Sequence, residues 1–148
     1  MLGVIMNGAV CDRANFTGAD LTDAFAKGVN FRQCNLTRAL LRYAKLDESD
    51  FTGANLDAAD VSMAELGCNF TKANLSRADL RGSDLSGAVF AGACLVEADL
   101  SEAHISGADL SGAILNRAKI GHGQKLGAHV FKTAKENPSR PWWMFWAT

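Results

Sequence analysis

Proline is nearly missing from this chain: two residues in 148, Pro138 and Pro141, both close to the C-terminal end. Tryptophan is missing from everything before Trp142, and all three Trp fall in the last seven positions. A dominant charge is missing as well, since 15 Lys and Arg against 16 Asp and Glu leave a formal net charge of −1. That balance excludes both the strongly basic footprint of a general nucleic-acid binder and a strongly acidic polypeptide. No long apolar run exists. The apolar stretches, such as Met1–Met6, Gly87–Val96 and Trp142–Ala147, fall far short of the roughly 20 residues of a membrane-spanning helix. No Lys or Arg precedes the first apolar residues and no A-x-A-like site follows them, so no secretory signal is expected and a cytoplasmic protein is.

Four cysteines, Cys11, Cys34, Cys68 and Cys94, form no C-x-x-C pair and have no companion His spacing, which points to neither zinc nor thiol redox chemistry. His104, His122 and His129 are scattered and read as solvated side chains. No set of nucleophile, base or metal ligands converges, so no catalytic residue, metal, cofactor or small-molecule substrate is expected, and the chain reads as a non-enzyme. The N-x-S/T matches at Asn15, Asn35, Asn69 and Asn74 are by-products of a repeat.

The repeat is what the chain has in abundance. From Ala14 to Ile120 the sequence runs in fives: ANFTG, ADLTD, and later ADLRG, SDLSG, AVFAG, ACLVE, ADLSE, AHISG, ADLSG, AILNR. Centring each unit on its Leu or Phe gives a series from Phe16, Leu21, Ala26 and Phe31 to Leu110, Leu115 and Ile120, in which only Ala26 is undersized. A small residue stands two before each centre, Ala except at Val29, Cys34, Ser49, Cys68 and Ser83. A period of five fits neither the 3.6 of a helix nor the alternation of a strand. The small residue and the centre are two apart, hence on one side of an extended segment, and the polar or Gly pair that follows can make a corner. Gly18, Gly53, Gly82, Gly87, Gly92, Gly107 and Gly112 all fall two after a centre, where a type II corner requires positive φ. Four such sides close a square.

This A-[DN]-L-x-x pattern over residues 9–120 resembles the pentapeptide-repeat family. The resemblance implies an all-β solenoid, the right-handed quadrilateral β-helix, and leaves function open because the family uses the tube for unrelated tasks. Stacking four units per coil aligns Phe31, Phe51, Phe70 and Phe90, spaced 20, 19 and 20. The 19 places a one-residue deletion between Leu66 and Phe70. Ring would then lie on ring at the inter-strand separation of about 4.8 Å. Asn15, Asn35, Asn55 and Asn74 form a second column, read as a ladder of side-chain hydrogen bonds. The cysteines are expected to stay unpaired, because no two are stacked neighbours.

Open solenoid ends need caps. Residues 1–10, with Leu2, Val4, Ile5 and Met6, read as an N-terminal cap ahead of a repeat domain over 11–122. Within 123–148, Leu126, Val130 and Phe131 recur at helical spacing up to Asn137-Pro138, which reads as a C-terminal capping α-helix. The Trp142, Trp143, Met144, Phe145 and Trp146 cluster then reads as a lid, a contact in a homodimer or a membrane-interface anchor. The lid is the first of these readings, and the resemblance raises dimerisation beside it, since family members often pair through an element after the last coil.

Two functional readings follow. In the family's acidic members the rod resembles duplex DNA and binds DNA gyrase or its relatives, the activity behind quinolone resistance. Here the side centred on Leu21, Leu41, Val61, Leu80, Leu100 and Ile120 carries Asp20, Asp23, Asp60, Asp79, Asp99 and Glu102 but also Arg42, Arg81 and Lys119. That is a poor imitation of one negative charge per about 1.7 Å of axis. The favoured reading is a protein-binding or scaffold rod without direct nucleic-acid contact, its partner unidentified. Phe25, Leu40, Arg42, Tyr43 and Met63 are apolar or interface-type residues that the repeat does not require, and the four-sided arrangement gathers them along one edge. For Phe25 two orientations stand open: outward, or inward to fill the gap beside Ala26.

Overall fold

The computed structural model describes residues 3–121. They wind as a right-handed four-sided β-helix of about six coils, which at ~4.8 Å per coil is a rod of roughly 28 Å. Each side is one five-residue unit. The four sides are named here after their centres in one coil: the Phe31, Leu36, Leu41 and Leu46 sides.

The backbone wiring explains the repeat letter by letter. The residue before each centre pairs in parallel with its equivalent one coil on, as in Asn15 with Asn35 and Phe25 with Lys45. Near the C-terminal end this pairing lengthens into two short strands, β1 (Asp99–Leu100) and β2 (Lys119–Ile120). The N–H of a centre donates to the next coil (Phe16 to the Asn35 carbonyl, 2.7 Å), and so does that of the corner (Gly18 to Thr37, 2.9 Å). The small residue closes the turn onto its own centre (Ala19 N–H to the Phe16 carbonyl, 2.9 Å). The residue before a centre donates backwards (Asn35 to Ala14, 3.0 Å). Only the N–H just after each centre lacks a place in this ladder, and a buried or half-buried N–H needs an acceptor.

The Asn or Asp before the centre supplies it. Asn15 Oδ1 accepts from the Thr17 N–H at 3.0 Å, Asp50 from Thr52 at 2.9 Å and Asp109 from Ser111 at 2.9 Å. This Asx turn is the physical reason for the second letter of the motif. It also corrects the expected Asn ladder. The bond each Asn makes first is local, and the coil-to-coil links in that column are Asn74 Nδ2 to Asn55 Oδ1 (3.0 Å) and Asn55 Nδ2 to Thr37 Oγ1 (3.1 Å).

Corners take positive φ at Gly18, Gly53 and their equivalents, and at thirteen non-glycine residues among those described, from Arg13 (58°) to Arg117 (59°). With the turn-closing bond this is the type II corner expected from the glycine spacing. The shortened side departs from the rule. Cys68 N–H reaches the Leu66 carbonyl (2.6 Å), and the Gly67 N–H donates to Asp47 Oδ1 at 3.0 Å, because Glu65 stands where an Asn or Asp would accept it.

The interior is the predicted one. Phe31, Phe51, Phe70 and Phe90 are fully buried and stacked, with centroids 4.8, 5.0 and 5.0 Å apart and interplanar angles of 14°, 14° and 7°. Phe16 closes the stack edge-on to Phe31 at 5.7 Å and 76°. Each buried Phe or Leu is worth about 1.5–3 kcal/mol before entropy. The polar exceptions in the small column are satisfied: Ser49 Oγ donates to the Ala26 carbonyl (2.7 Å) and accepts from the Val29 N–H (2.9 Å). The Cys34 and Cys68 thiols lie against the carbonyls of Cys11 and Leu46. All four cysteines are free.

One boundary is corrected. The segment read as an N-terminal cap is, from Gly3 on, already coil: Ile5 pairs with Phe25 and Val10 with Asn30, while Val4, Met6, Ala9 and Cys11 pack on the core. The hydrogen-bond ladder runs through it unbroken, so it extends the rod rather than covering it. The predicted capping helix and the Trp cluster, Leu126, Val130, Phe131, Trp142, Trp143, Met144, Phe145 and Trp146, lie outside the described residues. Among the described residues no helix is long and apolar enough to cross a membrane.

Candidate interaction surface

A corner residue in the left-handed region points its side chain away from the tube, whatever its chemistry. The non-glycine corners are mostly polar or charged: Arg13, Asp23, Gln33, Arg38, Glu48, Lys72, Arg77, Glu97, Glu102 and Arg117, with Ala58 the small one. Tyr43 and Met63 alone among them set large apolar side chains in water, 51% and 50% exposed. They stand in successive coils on one corner, between the Leu41 and Leu46 sides. The Met63 side chain lies along that corner onto the next coil: its Sδ sits 2.6 Å from where a Cβ on Gly82 would be. A side chain at Gly82 would therefore have to push the Met63 thioether aside.

Of the other residues singled out for this patch, Arg42 adjoins Tyr43 in sequence, Leu40 lies on the Leu41 side and Phe25 on the Leu46 side, the two sides that meet at this corner. Phe25 is 46% exposed and Leu40 42% exposed. The Phe25 question is settled by this: the ring is outside, beneath Lys45, whose Nζ is 5.9 Å from its centroid. Ala26 occupies the inward position by itself, 1% exposed. The Arg42 guanidinium stands 5.6 Å over the Tyr43 ring. Each aromatic ring of the strip thus lies under a cation, an arrangement worth about 0.5–1 kcal/mol at exposed sites that chiefly fixes orientation.

Two residues were missed. Ile5 and Val10 are 76% and 80% exposed, and Ile5 continues the Phe25–Lys45 column by direct pairing. The signal was present in Val4-Ile5-Met6 and Ala9-Val10-Cys11, which keep the register of five, but neither unit has the Leu or Phe that marks a centre.

The acidic columns are threaded with bases. Asp79 accepts from Arg81 through both oxygens, Lys119 Nζ is 3.2 Å from Asp99 and Arg42 Nε is 3.7 Å from Asp60, while on the neighbouring Leu36 side Arg77 grips Asp57. On the other sides Arg32 pairs with Asp50 (3.0 Å), Lys45 with Glu65 (3.4 Å) and Arg117 with Glu97 (3.2 Å). The Arg81 bonds hold the Asp79 carboxyl below its usual range against the opposing effect of burial. Burial raises Asp50 and Asp99, but bonds from Thr52 and Arg32, and from Ser101 and Lys119, outweigh it and leave both low. Asp84 is lowered by its bonds from Ser86. Burial pushes the Cys68 thiol far up, and Cys11 and Cys34 up as well, which lowers the thiolate fraction of each at neutral pH. Among the described residues no three His, Cys, Asp or Glu side chains are grouped to hold a metal ion.

Comparison with known proteins agrees with this architecture. The family model for pentapeptide repeats matches in eight copies, over residues 3–33, 34–67, 66–101 and 83–120. The crystal structure of the pentapeptide repeat protein Rfr23 from the cyanobacterium Cyanothece 51142 superposes with a TM-score of 0.61 at 25% identity, covering 80% of this chain and 89% of that one. HetL from Nostoc sp. strain PCC 7120, a pentapeptide repeat protein involved in heterocyst differentiation regulation, gives 0.47 at 29% identity over 74% of this chain and 60% of its own. QnrB1, a plasmid-mediated fluoroquinolone resistance protein, gives 0.43 at 23% identity over 79% and 72%. No curated protein matches the sequence.

Proposed function

Because the chain belongs to the pentapeptide-repeat family, whose tube leaves only its outer faces for function, we propose that it is a non-enzymatic rod that binds a protein partner through the Phe25–Leu40–Tyr43–Met63 strip. One observation carries this reading: the only large apolar corner residues in the described rod are Tyr43 and Met63, in successive coils, with exposed Phe25 and Leu40 on the two sides that meet at that corner. Neither residue serves the core. Aromatic, Met and Arg side chains are the composition of an interface centre, and Arg42 and Lys45 hold the two rings in place. The rigid solenoid presents them without an ordering cost at the moment of binding.

The charge arrangement supports this reading over DNA mimicry. A duplex surrogate needs unbroken negative columns, whereas Arg42, Arg81 and Lys119 neutralise Asp60, Asp79 and Asp99 in place. Affinity capture with the wild-type chain, a Tyr43→Asn/Met63→Asn double variant and a Lys72→Asn control tests the proposal. Asn is chosen because it accepts the left-handed corner that Tyr43, Met63 and Lys72 occupy. A partner held by wild type and Lys72→Asn and lost by the double variant is expected. A partner held equally by all three, or salt-sensitive capture of a type II topoisomerase, contradicts it.

A further inference from the structure

The strip has a candidate occupant within the chain. Residues 122–148 follow the last described residue and end in Trp142, Trp143, Met144, Phe145 and Trp146. Gly121 stands in the same column as Ser101, Arg81, Ser62 and Arg42, on the Leu41 side and one position from the corner that bears Met63 and Tyr43. The chain therefore leaves the rod beside the strip's own edge. Three coils separate Gly121 from Ser62 and four separate it from Arg42, about 14 and 19 Å at ~4.8 Å per coil. Twenty residues, 122–141, precede the first Trp, and about six extended residues already span 19 Å.

Charge and composition match along this path. The Leu41 side carries Asp20, Asp23, Asp60, Asp79, Asp99 and Glu102 against Arg42, Arg81 and Lys119, a sum of −3. The segment from 124 on carries Lys125, Lys132, Lys135 and Arg140 against Glu136, a sum of +3. The exposed large hydrophobics of the described rod, Ile5, Val10, Phe25, Leu40, Tyr43 and Met63, all precede residue 64, so an apolar segment returning along the rod finds its apolar counterpart there. We infer that the Trp-rich segment lies back along the Leu41 side and docks on the Phe25–Tyr43–Met63 strip of its own chain, as an internal occupant that a partner displaces. This rests on the proposed binding face and adds its regulation.

The sequence supplies its own probes, since every Trp lies in that segment and Tyr43 is the single tyrosine. Tryptophan emission and acrylamide quenching are measured on the full chain as wild type, Tyr43→Asn/Met63→Asn and Lys72→Asn, with the mass of each from light scattering. The expected result is a monomer whose wild-type emission is blue-shifted from that of free tryptophan. In the double variant the emission moves to the red and quenching rises several-fold, while Lys72→Asn changes neither. An emission indifferent to the double substitution overturns the inference, and so does a wild-type dimer that the double variant dissociates, which assigns the strip to a second copy. In the wild-type chain alone, Tyr43 emission must be drained by energy transfer to tryptophan, and full Tyr43 emission overturns the inference without any variant. A chain whose strip still captures a partner but whose tryptophans ignore the strip loses this inference and keeps the binding face.

Discussion

The second letter of each repeat is the residue on which the wiring turns. Every backbone N–H in a regular coil has a place in the ladder except the one after the centre, and in units with Asn or Asp before the centre that side-chain oxygen takes it. Asn35 shows the arrangement in full, with its Oδ1 accepting from both the Thr37 N–H (3.1 Å) and the Thr37 hydroxyl (2.7 Å). Asn35→Ala strands both donors and is expected to cost about 1 kcal/mol in urea unfolding, while Asn35→Asp keeps the acceptor and stays within about 0.5 kcal/mol. The thiols give a second test. Cys34 and Cys68 are buried, against half-buried Cys11 and Cys94. Alkylation of the native protein followed by mass spectrometry should label Cys94 and Cys11 first and Cys34 and Cys68 only after denaturation. Early labelling of Cys68 would contradict the coil assignment at the shortened side.

At the scale of one side, residues 66–70 show what a deletion demands of its neighbours. Losing a residue removes the standard corner, and Glu65 removes the usual Asx acceptor as well. Asp47, one coil earlier, reaches up to the Gly67 N–H. Asn7 does the same for the Lys27 N–H (2.9 Å), where Phe25 cannot accept. Asp47→Ala should therefore destabilise by about 1–2 kcal/mol and Asp47→Asn by much less, read from thermal melts. Gly67→Ala is expected to destabilise too, since its Cβ would meet Asp47 Oδ1 at 3.0 Å. The deletion itself was legible from the 20, 19, 20 spacing of the Phe column, as were the sides, corners and core, because a strict period forces one register. Asp47 was not legible, because its role depends on a missing acceptor 18 residues away. The start of the first coil escaped for the opposite reason: Met6 occupies a centre without resembling one. The strip was legible as residues the repeat does not need, yet the side taken by Phe25 was not, since Ala26 left room for either.

For the whole rod, acidity is the natural perturbation. Asp50, Asp79, Asp84 and Asp99 are all held below the ordinary carboxylate value by bonds made only in the folded state. A folded pKa below the unfolded one gives stability that is complete above about pH 4–5 and is lost as pH falls through the folded values. The melting temperature should thus stay level from neutral pH down to about pH 5 and fall steeply below about pH 4. Steady loss of stability on raising the pH from 5 to 8 would contradict it. Because each coil touches only its neighbours, damage to the stack is felt in full: Phe51→Ala, between two stacked rings, is expected to cost about 3–5 kcal/mol.

The central claim is that one corner of this rod is its working surface, and photo-cross-linking from that corner tests it most directly. A benzoylphenylalanine placed at position 63 in the full-length chain is compared in cells with the same probe at position 72, on the diagonally opposite corner. Mass spectrometry identifies the cross-linked peptides. Position 63 should yield defined cross-links, to a partner protein or to residues 138–148, and position 72 none. Equal yields from both corners, or cross-links from 72 alone, would contradict the account.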